Sequence, residues 1–108
     1  MLSIVNYGLG NVQAFVNIYD QLDIPINVIS SPDQFEKASK IILPGVGSFD
    51  YALKCLQNLN LINALNKKVL EDETPVLGVC VGMQIMAKES QEGIKSGLDW
   101  VPSKVLKF

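Results

Sequence analysis

PVLGVCVGMQ, residues 75–84, joins an apolar strand to a predicted helix through a turn that holds a cysteine. Gly78 and Gly82 each stand two residues from Cys80, which is the spacing of a nucleophile elbow with cysteine in the place of serine. We attribute this spacing to a sharp turn, in which the residues two before and two after the nucleophile approach each other and a Cβ would clash.

Cys80 has two interpretations. A helix predicted over residues 82–90 has its N-terminus at Cys80, where the helix dipole favours a thiolate. By the same geometry, the N–H of Val81 is a donor to an oxyanion. Alternatively, Cys80 is a core residue, as isolated cysteines in apolar surroundings usually are. The two flanking glycines, with a strand before them and a helix after them, favour the nucleophile.

Short apolar runs alternate with amphipathic segments along the chain. The predicted strands are residues 1–6, 26–30, 40–43, 75–79 and 104–108, and the predicted helices are residues 11–22, a short one from Pro32, 51–57, 61–71 and 82–90. Residues 91–102 are predicted to be loop. Strands that are apolar on both sides and alternate with helices indicate an α/β fold: an open, mostly parallel sheet with helices on both faces.

Composition excludes several classes of protein. The net charge is −2 and no basic run extends beyond Lys67-Lys68, which argues against nucleic-acid binding and a polybasic membrane anchor. No apolar stretch approaches the roughly 20 residues that span a bilayer. The two cysteines, Cys55 and Cys80, match neither a disulfide framework nor a metal-ligand spacing. We therefore expect a cytoplasmic protein with no metal and no cofactor, and we assign Cys55 to a helix core.

Three glycine-containing turns follow predicted strands, and such turns meet at one edge of a parallel sheet. They are YGLGN (7–11), PGVG (44–47) and GVCVG (78–82). PGVG is either a tight turn or a loop beside Cys80 that supplies a second oxyanion donor, and its two glycines would let a peptide flip. YGLGN does not complete the dinucleotide fingerprint, because Gln13 stands in place of its third glycine.

LPGVGSFD, PVLGVCVGMQ, SQEG and GLDWVP, taken in this order, resemble the class I (triad-type) glutamine amidotransferases, and the resemblance covers essentially the whole chain. YGLGN and GLDWVPSKVLKF are most similar to the glutaminase subunits of imidazole glycerol phosphate synthases within that family. The resemblance implies a flavodoxin-like α/β fold without a cofactor. It also implies an enzyme of histidine biosynthesis that hydrolyses glutamine and supplies ammonia to a barrel-shaped synthase subunit.

The resemblance further implies a role for each matching residue. Cys80 would attack the side-chain amide of glutamine to form a γ-glutamyl thioester, and Val46 and Val81 would supply the oxyanion N–H groups. Glu92 would meet the α-ammonium group of glutamine, for which a carboxylate is the natural partner. The remaining implied positions are Gly47 and Gln84 for the substrate, and Gly10 and Asn11 for the synthase subunit.

The chain contains no histidine, so the base for Cys80 is not among its 108 residues. Family members are about twice as long and carry the catalytic His and Glu in their C-terminal half. We therefore expect residues 1–108 to be the N-terminal part of a single amidotransferase domain, either truncated or naturally short, and inactive alone. An incomplete sheet would expose an unpaired edge and apolar surface, which favours self-association.

Three alternatives remain open at this point. Asn6 stands where the family usually has Asp, which leaves the subgroup open. The first alternative is therefore a similar sister group, which supplies ammonia for surface-sugar (amidino or acetamido sugar) biosynthesis. The missing histidine also suits a non-catalytic α/β binding module. A cysteine hydrolase of another superfamily could contain a similar elbow.

Overall fold

The computed structural model describes residues 1–91, 93 and 95–106. Four strands form one parallel sheet in the order β2-β1-β3-β4, and two more form a separate parallel pair. The strands are β1 Leu2–Val5, β2 Ile26–Ile29, β3 Lys40–Leu43, β4 Val76–Gly78, β5 Ala87–Ser90 and β6 Val101–Val105. The helices are α1 Val12–Gln21, a 3₁₀ helix Pro32–Lys37, α2 Phe49–Asn58, α3 Ile62–Asn66 with a π-helical continuation Lys67–Glu71, and α4 Val81–Gln84. The predicted α/β fold class is confirmed.

Most predicted elements up to β4 occur where the hydrophobic pattern places them. The break predicted between the helices at residues 51–57 and 61–71 is present, and Asn60 has a positive φ of 58° there. The short helix predicted from Pro32 is also confirmed, and the Gln34 side chain accepts a hydrogen bond from the Ser31 N–H at 3.0 Å at its start. These local signals need no distant contact, which is why the sequence reveals them.

One face of the sheet carries the main core. Val5, Ile41 and Leu43 point to this face and are buried. They pack with buried side chains of α2 and α3, namely Phe49, Ala52, Leu53, Leu56 and Leu65. Cys55 is half-buried and packs against this core, which confirms its assignment as a helix core residue. Trp100 also packs here and donates a hydrogen bond from its indole N–H to Asn66 Oδ1 at 2.7 Å.

The opposite face is covered by α1 at one side only. Ile4 pairs with Ile42 and Ile42 with Leu77, so these three side chains form a row across the sheet. Ile4 and Ile42 are buried, but Leu77 is 58% exposed beside a groove of about 270 Å³ that Tyr19 of α1 also lines. Leu77 is exposed because no helix of the described residues covers this end of the row, which agrees with the apolar surface expected of an incomplete sheet.

The helix predicted over residues 82–90 is wrong beyond its first turn. α4 ends at Gln84, and Ala87–Ser90 form strand β5 instead. The reason is a partner distant in sequence: the N–H groups of Leu98 and Trp100 donate to the carbonyls of Ile85 and Met86 at 2.8 and 2.9 Å. Local propensity favours a helix in this alanine-, lysine- and glutamate-containing segment, and tertiary pairing overrides it.

The last predicted strand begins earlier than residue 104. β6 starts at Val101 and contains Pro102, a residue that normally argues against a strand interior. Ala87 pairs with Val101 and Ser90 with Val105. The end of the predicted strand, residues 107 and 108, lies outside the described residues.

Candidate active site

Cys80 occupies a strained turn between β4 and α4. Its backbone has φ 55° and ψ −123°, a region that side-chain-bearing residues rarely adopt. Strain of this kind costs on the order of 1–3 kcal/mol and concentrates at functional sites. The Cys80 side chain is exposed. A core cysteine would be buried and would not need this backbone, so the structure favours the nucleophile elbow over the core interpretation.

The two glycines that flank Cys80 are required by close backbone packing. A Cβ on Gly78 would lie 2.6 Å from the Cα of Met83, at the start of the following helix. A Cβ on Gly82 would lie 1.9 Å from the carbonyl oxygen of Leu43 in β3. Gly78 therefore packs against the residue that directly follows Gly82, and Gly82 in addition makes room for the end of β3.

The PGVG loop packs directly on the elbow. A Cβ on Gly45 would lie 3.0 Å from the Gly82 nitrogen and 3.3 Å from Val81 Cγ1. The N–H of Val81 donates a hydrogen bond to the Gly45 carbonyl oxygen at 3.2 Å. In a planar trans peptide the C=O and the N–H point in opposite directions, so the Val46 N–H points away from Val81. The two predicted oxyanion donors are therefore adjacent in the fold but do not converge in this conformation.

The YGLGN turn reaches the same place. Gly10, with a φ of +85°, packs on the PGVG loop, and a Cβ there would lie 3.1 Å from Pro44 Cβ. Asn11 is exposed and caps α1, its side chain accepting a hydrogen bond from the Ala14 N–H at 3.1 Å. The prediction that the three glycine turns share one edge of the sheet is thus confirmed.

The predicted substrate residues are placed as follows. Gln84 is half-buried, one turn of α4 beyond Cys80, and its backbone N–H donates to the Cys80 carbonyl at 3.2 Å. It borders a largely apolar groove of about 410 Å³. Gly47 has a φ of +101°, and apart from its two chain neighbours no described residue has an atom within 4 Å of where a Cβ would be, so the loop is open there. Glu92 lies outside the described residues.

Comparison of the chain with models of protein families shows the family to which it belongs. The family model described as "Glutamine amidotransferase class-I" matches residues 3–105. The chain belongs to the class I glutamine amidotransferases. This amidotransferase chain is 50% identical over all of its 108 residues to "Imidazole glycerol phosphate synthase subunit HisH" of Bdellovibrio bacteriovorus, and it covers 53% of that protein. The identically named protein of Leptospira interrogans is 44% identical over 108 residues, and the chain covers 53% of that protein.

The amidotransferase chain spans about half the length of the curated relatives it matches. A solved structure described as "Crystal structure of glutamine amidotransferase" superposes with a TM-score of 0.76 at 18% identity. The match covers 96% of this chain and 55% of the solved one. At this identity the likeness shows the fold alone, and it agrees with the sheet described above.

Tyr7 is a site residue of this amidotransferase that the sequence argument missed. It is 2% exposed, and its hydroxyl donates a hydrogen bond to the Pro44 carbonyl oxygen. Burial, and secondarily the nearby Cys55, raise the pKa of Tyr7, so it remains a neutral donor. Tyr7 thereby ties the end of β1 to the PGVG loop. Its position within YGLGN was the available signal, but an aromatic after a strand usually indicates packing.

The surroundings of the amidotransferase thiol differ from the prediction in one respect. α4 has four residues, whereas the predicted helix had nine. A single turn has a smaller dipole and gives less support to an anion than a long helix does. Nothing in residues 1–91, 93 and 95–106 brings three His, Cys, Asp or Glu side chains together for a metal. In the same residues, no helix has the length and apolar character needed to cross a bilayer.

Asn6 does not distinguish the amidotransferase subgroups structurally. Its side-chain oxygen accepts a hydrogen bond from the Gly8 N–H at 3.4 Å. The Asp that the family usually has at this position offers the same acceptor oxygen. The substitution therefore leaves the start of the YGLGN turn with the same kind of bond.

Iodoacetamide is expected to alkylate Cys80 at least about tenfold faster than Cys55 in the folded chain. Cys80 is exposed on its turn, whereas Cys55 is half-buried against the core, and alkylation requires access to the thiolate. Mass spectrometry of peptides after timed labelling measures both rates, and labelling in urea provides the control in which the difference should vanish. Equal or reversed rates in the folded chain would contradict the elbow.

Proposed function

We propose that this chain carries the nucleophile half of the glutaminase subunit of an imidazole glycerol phosphate synthase, with residues 1–108 forming the N-terminal part of a single domain. The strained, exposed backbone of Cys80 beside the PGVG loop carries the proposal. The names of the relatives support the choice of pathway. It is tested by measuring ammonia release from glutamine, with and without the Cys80 thiol, in the presence of a synthase subunit.

The proposed reaction begins with attack of the Cys80 thiolate on the side-chain carbonyl carbon of glutamine. The C–N bond breaks after the leaving nitrogen gains a proton, which gives ammonia and a γ-glutamyl thioester. Water then cleaves the thioester to glutamate and the free thiol. Proton transfer needs a positioned acid-base, and the chain has no histidine. Lys88 and Lys95 are exposed, which does not suit either of them as the base. We propose that the base is the His of the family triad, outside residues 1–108.

Oxyanion stabilisation is proposed to require a flip of the Gly45–Val46 peptide. In the present conformation the Gly45 carbonyl occupies the Val81 N–H. Rotation of this one peptide would withdraw the carbonyl and turn the Val46 N–H toward the same point, so that two donors would face the oxyanion. Gly45 and Gly47 on either side of Val46 make such a rotation sterically accessible.

Substrate and partner contacts complete the proposal. We assign Gly47 and Gln84 to the body of the glutamine substrate and Glu92 to its α-ammonium group. We assign Gly10 and Asn11 to the face that meets a barrel-shaped synthase subunit, because their turn packs on the loop beside Cys80. A cytoplasmic location is part of the proposal, since an exposed catalytic thiol suits a reducing compartment.

A non-catalytic α/β module is the second candidate, and the lack of histidine in these residues is the observation that favours it. Such a module would bind a partner through the edge where the three glycine turns meet and would release no ammonia. It gives no reason for the strained backbone at Cys80, which a binding surface does not need. For this reason we place it second.

Self-association of the 108-residue chain is expected through the uncovered end of the sheet. β4 pairs only with β3 in the described residues, and Leu77 exposes apolar surface beside it. Leu77→Glu should shift the chain toward monomer at concentrations of about 100 μM, the range in which exposed edges associate. Leu70→Glu is the matched control, since Leu70 is 56% exposed on a different element. Sedimentation velocity that shows a monomer in the unmodified chain, or equal effects of both variants, would contradict this expectation.

A further inference from the structure

The carboxylate of Asp50 has no role in the mechanism above, yet it contacts Gly93 and Lys95, two residues that follow position 92 closely in the chain. Asp50 is the second residue of α2, and its Oδ1 accepts a hydrogen bond from the Lys95 N–H at 3.0 Å. A Cβ on Gly93 would lie 2.3 Å from the same Oδ1 and 2.9 Å from Cγ. The backbone of Gly93 therefore packs directly against the carboxylate.

Asp50 is also connected to the PGVG loop. α2 begins at Phe49 and is capped by Ser48, whose Oγ accepts a hydrogen bond from the Tyr51 N–H at 3.2 Å. Ser48 follows Gly47 directly, so the first turn of α2 continues the chain of the loop beside Cys80. A contact with Asp50 is therefore a contact with the element that sets the position of Gly47.

An ordinary helix-start role does not account for both contacts. An acidic residue in the first turn of a helix is favourable without any partner, because it faces the positive end of the dipole. That role needs neither a bond to Lys95 nor a residue without a Cβ at position 93. Both features lie in a segment more than 40 residues away in sequence, as the separation of 45 between Asp50 and Lys95 shows.

We infer that Asp50 is a positioning residue that latches the backbones of Gly93 and Lys95 onto the start of α2, and so restrains the chain next in sequence to Glu92. The consequence for glutamine binding rests on the proposed function, in which Glu92 meets the α-ammonium group. The latch itself rests only on the contacts of Asp50 with Gly93 and Lys95.

The latch is tested first without any activity, by hydrogen exchange at the Lys95 N–H followed by NMR in the 108-residue chain. Asp50→Ala removes the acceptor and should speed exchange about tenfold, as expected for loss of a bond to an ionised group. Asp50→Asn keeps an Oδ1 acceptor at the same position and should stay near the unmodified rate. Exchange in Asp50→Asn as fast as in Asp50→Ala, or no change in Asp50→Ala, would overturn the latch.

A double-mutant cycle gives a second, independent test. Gly93→Ala places a methyl group against Asp50 Oδ1 and should speed Lys95 exchange by a similar factor. In an Asp50→Ala background Oδ1 and Cγ are gone, and the next nearest atom to that methyl is Phe49 Cδ1 at 3.3 Å, so Gly93→Ala should add little. Strong non-additivity supports the latch, and additive effects would overturn it. Asp50→Asn and Gly93→Ala keep the test available if Asp50→Ala folds poorly.

The consequence for the substrate is tested with the amidotransferase in complex with a synthase subunit. Asp50→Ala should raise KM for glutamine about tenfold and change kcat less than about twofold, because ground-state and transition-state binding are lost together. Asp50→Asn should restore the original KM. A fall in kcat at unchanged KM would overturn the positioning role. If no variant hydrolyses glutamine while the exchange results hold, the proposed function has failed and the latch has not.

Discussion

Cys80→Ser is expected to reduce glutamine hydrolysis by about 10⁴-fold or more in a chimaera that joins residues 1–108 to the C-terminal half of the Bdellovibrio bacteriovorus relative. That relative is 50% identical over the whole chain, so its remaining half should pack on this one with few mismatches. A serine hydroxyl in the same place lacks the ready ionisation of a thiol, and the elbow itself would be unchanged. Ammonia release, measured with a synthase subunit present, reports the loss.

Cys55→Ser is the matched control, because Cys55 is the second free thiol, is half-buried against the core and lies in α2 and not in the elbow turn. It should leave the activity of the chimaera within about twofold, as expected for a residue with no part in the chemistry. Undiminished hydrolysis after Cys80→Ser would refute the proposed nucleophile. A chimaera that folds, binds a synthase subunit and releases no ammonia would favour the non-catalytic module.

The 108-residue chain on its own is the second reference point for this experiment. Without a positioned acid-base the chain lacks a group that contributes roughly 10²–10⁴-fold to the rate of hydrolysis, so steady turnover is not expected. An electrophilic glutamine analogue should still label Cys80 slowly. Steady ammonia production by the purified chain, lost on Cys80→Ser, would show that a base exists within these residues.

Gly82→Ala is expected to lower the free energy of unfolding by about 3 kcal/mol or more, among the largest effects of a single methyl group. The new Cβ would lie 1.9 Å from the Leu43 carbonyl oxygen and 3.1 Å from the Pro44 carbonyl carbon, and both are backbone atoms that cannot rotate away. Relief requires β3 and α4 to separate, which would also displace the PGVG loop. Urea unfolding followed by circular dichroism measures the loss.

Gly47→Ala separates this packing effect from simple backbone strain. Gly47 has a φ of +101°, but apart from its two chain neighbours no described residue has an atom within 4 Å of its Cβ position, so only conformational strain of about 1–2 kcal/mol is expected there. Gly82→Ala should therefore cost clearly more than Gly47→Ala. A smaller or equal loss for Gly82→Ala would show that α4 can shift on the sheet, and the steric explanation of the elbow glycines would be wrong.

Local pattern was sufficient for the first four strands and for the position of the elbow. Apolar runs such as KIIL and helix starts such as Ser31 with Gln34 depend on residues a few positions apart. The parallel direction of the strands follows from the alternation of strands with helices along the chain. The edge at which the three glycine turns meet also follows, because parallel strands all end on one side. The motifs around Cys80 were enough to indicate the family.

Motifs in the sequence were therefore enough to indicate the order of the elements as far as α4, the family and the proposed nucleophile, since each motif consists of residues close together in the chain. Only the tertiary structure decided that residues 87–90 form a strand, that Tyr7 bonds to Pro44, and that Asp50 contacts Gly93 and Lys95. It alone also decided that the Gly45 carbonyl faces the Val81 N–H. These features join residues about 10 to 45 positions apart, and no local propensity carries information about the partner that a backbone group finds across such a distance.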